Sequence, residues 1–134
     1  MQRPLFPLLV FSLCLGSEAA LAQPEADTDL YDGKWVASLQ TGTGNHSAAR
    51  VVIANFGGTW QDLPGTNRAV NKACGGKKMP ITVQRSVSTE MQFMVWGSSV
   101  APMCPDLSVS LKPTGAKTLE GTIGVDTKLK LTRR

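Results

Sequence analysis

From Gly33 onward the chain alternates apolar and polar residues with a period of two, segment after segment. In "GKWVASLQ" the residues Trp35, Ala37 and Leu39 share one face, and in "EMQFMVWG" the face is Met91, Phe93 and Val95. "LSVSLK" sets Leu107, Val109 and Leu111 together, and "TKLKLT" does the same with Leu129 and Leu131. "ARVVIANF", "GTWQDL", "PITVQRSV" and "TLEGTIG" complete a set of about eight short strand candidates. Between them stand "TGTGN", "FGG", "LPGTN", "ACGGKK", "APMCP" and "KPTGA", where glycine supplies positive φ and proline fixes φ. No segment has the length and period of a crossover helix, so the fold class is all-β.

Half-buried antiparallel strands must cover their apolar faces, either by stacking as a sandwich or by closing on themselves. Alternation in nearly every strand and short connections favour an up-and-down meander. Closure also removes the sheet edges that would otherwise recruit other chains. A small antiparallel up-and-down barrel over residues 33–134 is therefore expected. Residues 63–79, which contain Cys74, form the one long connection and are expected to be a loop.

The beginning of the chain sets the compartment. "MQRPLFPLLVFSLCLGSEAALAQ" has a basic residue, Arg3, an apolar run from Leu5 to Leu15, and small residues leading to Ala20, Leu21 and Ala22. This is the layout of a secretory signal peptide, expected to be cleaved after Ala22. Its apolar run of about eleven residues is too short to span a bilayer, which takes about twenty. Residues 23–32, starting "QPEADTDL", are acidic and thin in apolar side chains, and read as a flexible lead-in. The expected location is the periplasm or the medium. Removing Cys14 with the signal leaves Cys74 and Cys104, and an even pair in an exported chain reads as a disulfide. Closing a loop of about thirty residues contributes roughly 3–4 kcal/mol in the chain-entropy picture.

Gly33 and Trp35 at the head of the first strand, with Arg133 or Arg134 at the end of the last, resemble the signature of the calycins, the group of lipocalins, avidins and small periplasmic inhibitors. The resemblance implies that Trp35 closes the base of a barrel and that an arginine packs over its ring, a cation–π contact of about 0.5–2 kcal/mol. Within that group the plan is most similar to the alkaline-metalloprotease inhibitors, exported barrels with one disulfide whose N-terminal tail enters the protease cleft. That similarity implies residues 23–30 as the inhibitory element. A calycin of the ligand-binding kind would instead hold a small molecule in its interior.

Constellations for catalysis are poor. A nucleophile needs a base beside it, and the chain has one histidine, His46, next to Ser47, to be joined by an acid such as Asp62. An exposed turn histidine is the simpler reading of "TGTGNHSAA". "GTGNHS" lacks the lysine and following helix of a phosphate loop, and the cysteines have no Cys-x-x-Cys spacing for zinc. No catalytic residue, metal or cofactor is expected.

What remains is binding. Trp60 and Trp96 are candidate partner-binding aromatics, and alternation puts Trp96 on the face opposite Phe93. Arg68, Lys72, Lys77, Lys78 and Arg85 lie between Asp62 and Glu90 without an intervening acid. With a net charge of +4 and an acidic lead-in, the surface is dipolar and fits an anionic partner. The expected function is that of an exported, monomeric, non-enzymatic binding module for a protein or envelope partner, with nucleic acid excluded by the compartment. Alternatives are a protease inhibitor acting through its tail and a small-ligand-binding barrel.

Overall fold

The computed structural model describes residues 30–64 and 74–134. The expected signal segment and most of the expected lead-in, residues 1–29, lie outside that range, as does the segment 65–73. Eight strands close a barrel in simple sequence order. They are β1 (Gly33–Gln40), β2 (His46–Ala54), β3 (Gly57–Asp62), β4 (Lys78–Val87), β5 (Glu90–Val95), β6 (Leu107–Gly115), β7 (Thr118–Ile123) and β8 (Thr127–Arg133), with a 3₁₀ turn at Gly97–Ser99. Every neighbour pair is antiparallel, and the seam is β1 against β8, with Ala37 opposite Leu131 and Leu39 opposite Leu129. The sandwich alternative is thereby excluded.

Inward positions follow the alternation read from the sequence. Trp35, Val51, Met91, Phe93, Val95, Val109, Leu111, Leu129 and Leu131 are buried, and their strand neighbours face out. Two breaks in register, between Val83 and Arg85 in β4 and between Pro113 and Gly115 in β6, add the local twist that a closing sheet needs. Pro80 is tolerated inside β4 because its carbonyl faces the end of β5, accepting from Trp96 N–H at 2.9 Å. Its missing N–H therefore falls where the ladder with β5 has ended.

Four boundaries differ from expectation. Strand β2 starts at His46 rather than Ala49, and β6 runs on through Pro113 to Gly115. The connection after β3 ends at Lys77, because Lys78 and Met79 already belong to β4 and Met79 is buried. The folded domain also starts ahead of Gly33: Tyr31, expected in the flexible lead-in, is 3% exposed, and its hydroxyl donates to the carbonyl of Val87.

Candidate functional site

Antiparallel order divides the barrel into two ends. At the base lie the entry of β1, the β2–β3 turn, the β4–β5 and β6–β7 turns and the end of β8. At the other end, the top, lie the connection after β3, the loop between β5 and β6 and the turn before β8.

The base brings Gly33, Trp35 and Arg133 together. Trp35 and Arg133 are paired across the seam, and the guanidinium carbon stands 4.3 Å from the indole centroid. Arg133 Nη1 donates to the carbonyl of Asp32 at 2.7 Å and Nη2 to that of Leu30 at 3.1 Å, while Trp35 Nε1 donates to the carbonyl of Tyr31 at 3.0 Å. Gly33 has φ +140°, and a Cβ there would sit 2.9 Å from Arg133 Nη1. The motif therefore folds residues 30–32 across the barrel base. It leaves a cleft of about 170 Å³ bordered by Leu30, Trp35, Pro113 and Leu119. Arg133 is committed to backbone carbonyls and an aromatic face, which makes this end a closure rather than an anion receptor.

Among the described residues, large side chains point into the barrel interior. Trp60 is 0% exposed and meets Phe93 at a ring-centroid distance of 6.4 Å, with Met79 and Met91 also fully buried. Trp60 thus cannot serve as a surface contact, which corrects its place among the partner-binding candidates. The cause is register: Trp60 pairs with inward Val51, so it shares the inner face. Its indole N–H donates to Asp62 Oδ1 at 2.9 Å. Asp62 is an inward carboxylate near the top, and burial pushes its carboxyl above the ordinary range while the Trp60 bond opposes the shift.

Trp96 is the tryptophan that reaches the surface, at 37% exposure. Its indole N–H donates to Thr82 Oγ1 at 3.0 Å, which lays the ring over the outside of β4. Register places this ring at the end of a row of outward residues, Val52, Thr59 and Pro80, running across β2, β3 and β4. The next row toward the base is Ala54, Gly57, Thr82 and Met94. Below it, the β2–β3 turn carries Phe56, exposed and in left-handed conformation at φ 61°. A bulky L-residue there costs about 1–2 kcal/mol, and the glycine that would remove the cost comes one residue later, at Gly57. The Phe56 carbonyl accepts from Val83 N–H at 2.7 Å, which ties the turn to the strand beneath Trp96.

A row of different character runs one pleat repeat nearer the top, where Arg50, Gln61 and Lys78 stand abreast on β2, β3 and β4. Gln61 Nε2 donates to the carbonyl of Gly76 at 3.0 Å, so the turn carrying Lys77 is held against the same face. Structure thus brings Trp96, Lys77 and Lys78 to one side of the barrel. Arg68 and Lys72 lie outside the described residues. Val52, Pro80 and Arg50 were not singled out by sequence reasoning, because their grouping depends on the pairing register of β2 with β3 and β4.

Cys74 and Cys104 are bonded, with Cα atoms 5.2 Å apart, and join the turn before β4 to the loop between β5 and β6. Both are buried, and Cys104 Sγ lies 3.3 Å from Met79 Sδ. A disulfide sulfur carries no proton, so this is a packing contact.

His46, Ser47 and Asp62 do not make a triad. His46 and Ser47 are consecutive residues of β2 and so face opposite sides of the sheet, with His46 on the exposed side. Among the described residues no group of three or more histidine, cysteine or acidic side chains is placed to hold a metal, and no helix is long and apolar enough to cross a membrane.

No protein-family model matches the chain, and no curated protein matches its sequence. Among solved structures the barrel is similar to a redesigned β-barrel, with 12% identity and a TM-score of 0.49 over 81% of this chain and 96% of the other.

Proposed function

We propose that the protein is an exported, non-enzymatic binding module that engages an envelope or protein partner through the outer face of β2 to β5. The observation that carries this reading is Trp96, an exposed aromatic in the outward row of Val52 and Pro80, on a barrel whose inside holds Trp60, Phe93, Met79 and Met91. These large inward side chains favour the surface over the small-ligand alternative. Oxidation of Cys74 with Cys104 accords with export to the periplasm or the medium, and the Trp35–Arg133 stack accords with kinship to the calycins.

Affinity capture from envelope and culture-supernatant extracts with residues 23–134 tests the reading. Trp96→Ala should raise the dissociation rate of a captured partner about thirtyfold, the effect of losing an anchor aromatic. Neutralising Lys77 and Lys78 should mainly slow association and flatten its salt dependence. A partner that binds both variants like wild type would reject the outer face.

The inhibitor reading draws on one further observation. Arg133 holds the carbonyls of Leu30 and Asp32 at the base, next to the expected inhibitory element. On that reading, removing residues 23–29 abolishes protease inhibition and leaves the melting temperature of the barrel unchanged, whereas Trp96→Ala inhibits normally.

A further inference from the structure

We infer that the outer face of β2 to β5 docks on an anionic lipid surface, an inference that rests on the proposed use of this face for binding and names its partner. Two features converge. The apolar residues Val52, Phe56, Pro80, Met94 and Trp96 occupy neighbouring outward positions, with Val52, Phe56 and Trp96 at 37–39% exposure. Strand spacing makes the row from Val52 to Trp96 about 14 Å long. Directly above it, about 7 Å along the strands, the cations Arg50 and Lys78 line up, and Lys77 adjoins them. An apolar layer beside a cationic layer matches the acyl boundary and phosphate layer of a membrane interface, where tryptophan is enriched.

Charge selects an anionic surface and disfavours a second copy of the chain. The carboxylate on the outer positions of β2 to β5, Glu90, is held by Arg85 at 3.2 Å. Two such faces brought together would oppose cation to cation. Shape separates lipid from a folded acidic protein: this is the convex outside of a barrel, whereas a protein hot spot seats its anchors in pockets. Phe56 adds an independent sign. An exposed phenylalanine at φ 61°, where glycine would relieve the strain, points to use of its side chain.

Sedimentation of residues 23–134 with phosphatidylglycerol-containing vesicles, against pure phosphatidylcholine vesicles, tests the inference. Binding is expected to the anionic vesicles, with a blue shift of tryptophan emission that reports Trp96, since Trp35 and Trp60 are already buried. Lys77→Gln and Lys78→Gln should each weaken partitioning about fivefold and lessen its salt dependence. Trp96→Ala and Phe56→Gly should each weaken it about tenfold, and Phe56→Gly should do so while raising the melting temperature, which separates lost contact from lost folding. Equal binding to neutral vesicles, or none to either, overturns the inference. Binding to soluble polyglutamate without binding to vesicles overturns it in favour of an acidic polypeptide. In either case a Trp96-dependent partner in the capture experiment keeps the binding face itself.

Discussion

Trp35 and Arg133 face each other across the seam that closes the barrel, and Arg133 is the residue that holds residues 30–32 over the base. The two thus serve closure in different ways, one by filling the interior and one by satisfying the carbonyls of Leu30 and Asp32. Trp35→Ala should cost about 3–5 kcal/mol in urea unfolding, the range for a large core aromatic. Arg133→Lys keeps the charge but not the planar fork that reaches two carbonyls while stacked. It should lose most of what Arg133→Ala loses, and the Trp35–Arg133 double-mutant cycle should give a coupling of about 0.5–2 kcal/mol. Additive effects would show that the stack contributes nothing to closure.

Gly97 decides whether the disulfide loop can pack. A Cβ at that position would lie 2.6 Å from Cys104 Sγ and 2.2 Å from the carbonyl oxygen of Pro105, so neither the bridge nor the backbone leaves room for a methyl group. Gly97→Ala should therefore destabilise by about 1–3 kcal/mol. In the Cys74→Ala, Cys104→Ala background, where the loop is untethered, the same change should cost much less. Mass spectrometry of the wild-type protein without reduction should find neither cysteine open to alkylation. Equal costs of Gly97→Ala in the two backgrounds would mean that the clash with Pro105 alone sets the penalty.

The strands were legible because their inner face is apolar and their outer face is not: Met91, Phe93 and Val95 alternate with Gln92 and Met94, and no helix period competes. Closure was legible from the same pattern, since every strand needs cover on one side. Trp60 was misread because "GGTWQD" is too short to choose a face, and the choice is made by its pairing with Val51. That register is set by the two-residue turn Asn55–Phe56, in which both residues have positive φ. A turn of that type is ordinarily announced by glycine; here a phenylalanine conceals it. The cationic and apolar rows were hidden for the same reason, since residues as distant as Arg50 and Lys78 become neighbours only through two registers. "GGKK" reads as a turn and so hides Met79, whose burial follows from its pairing in β4 with inward Trp60, a register that local sequence does not express.

Asp62 gives the barrel a pH dependence whose sign is fixed by its surroundings. Desolvation raises its carboxyl above the ordinary value of 3.8, and the Trp60 indole bond only partly offsets that. The folded state then binds the proton more tightly than the unfolded chain. Where the folded protein holds more protons than the unfolded one, stability falls as pH rises. The contribution of Asp62 is thus least unfavourable below pH 3.8 and grows more unfavourable as pH climbs through the raised folded value toward neutrality. Asp62→Asn keeps an oxygen to accept from the Trp60 indole and removes the charge. The variant should match wild type in acid, exceed it in urea midpoint at pH 7, and show a difference that rises with pH across the carboxylate range and then levels off. A difference independent of pH would mean that burial does not penalise the charged carboxylate, and one that grows toward acid would mean that the mouth of the barrel stabilises it.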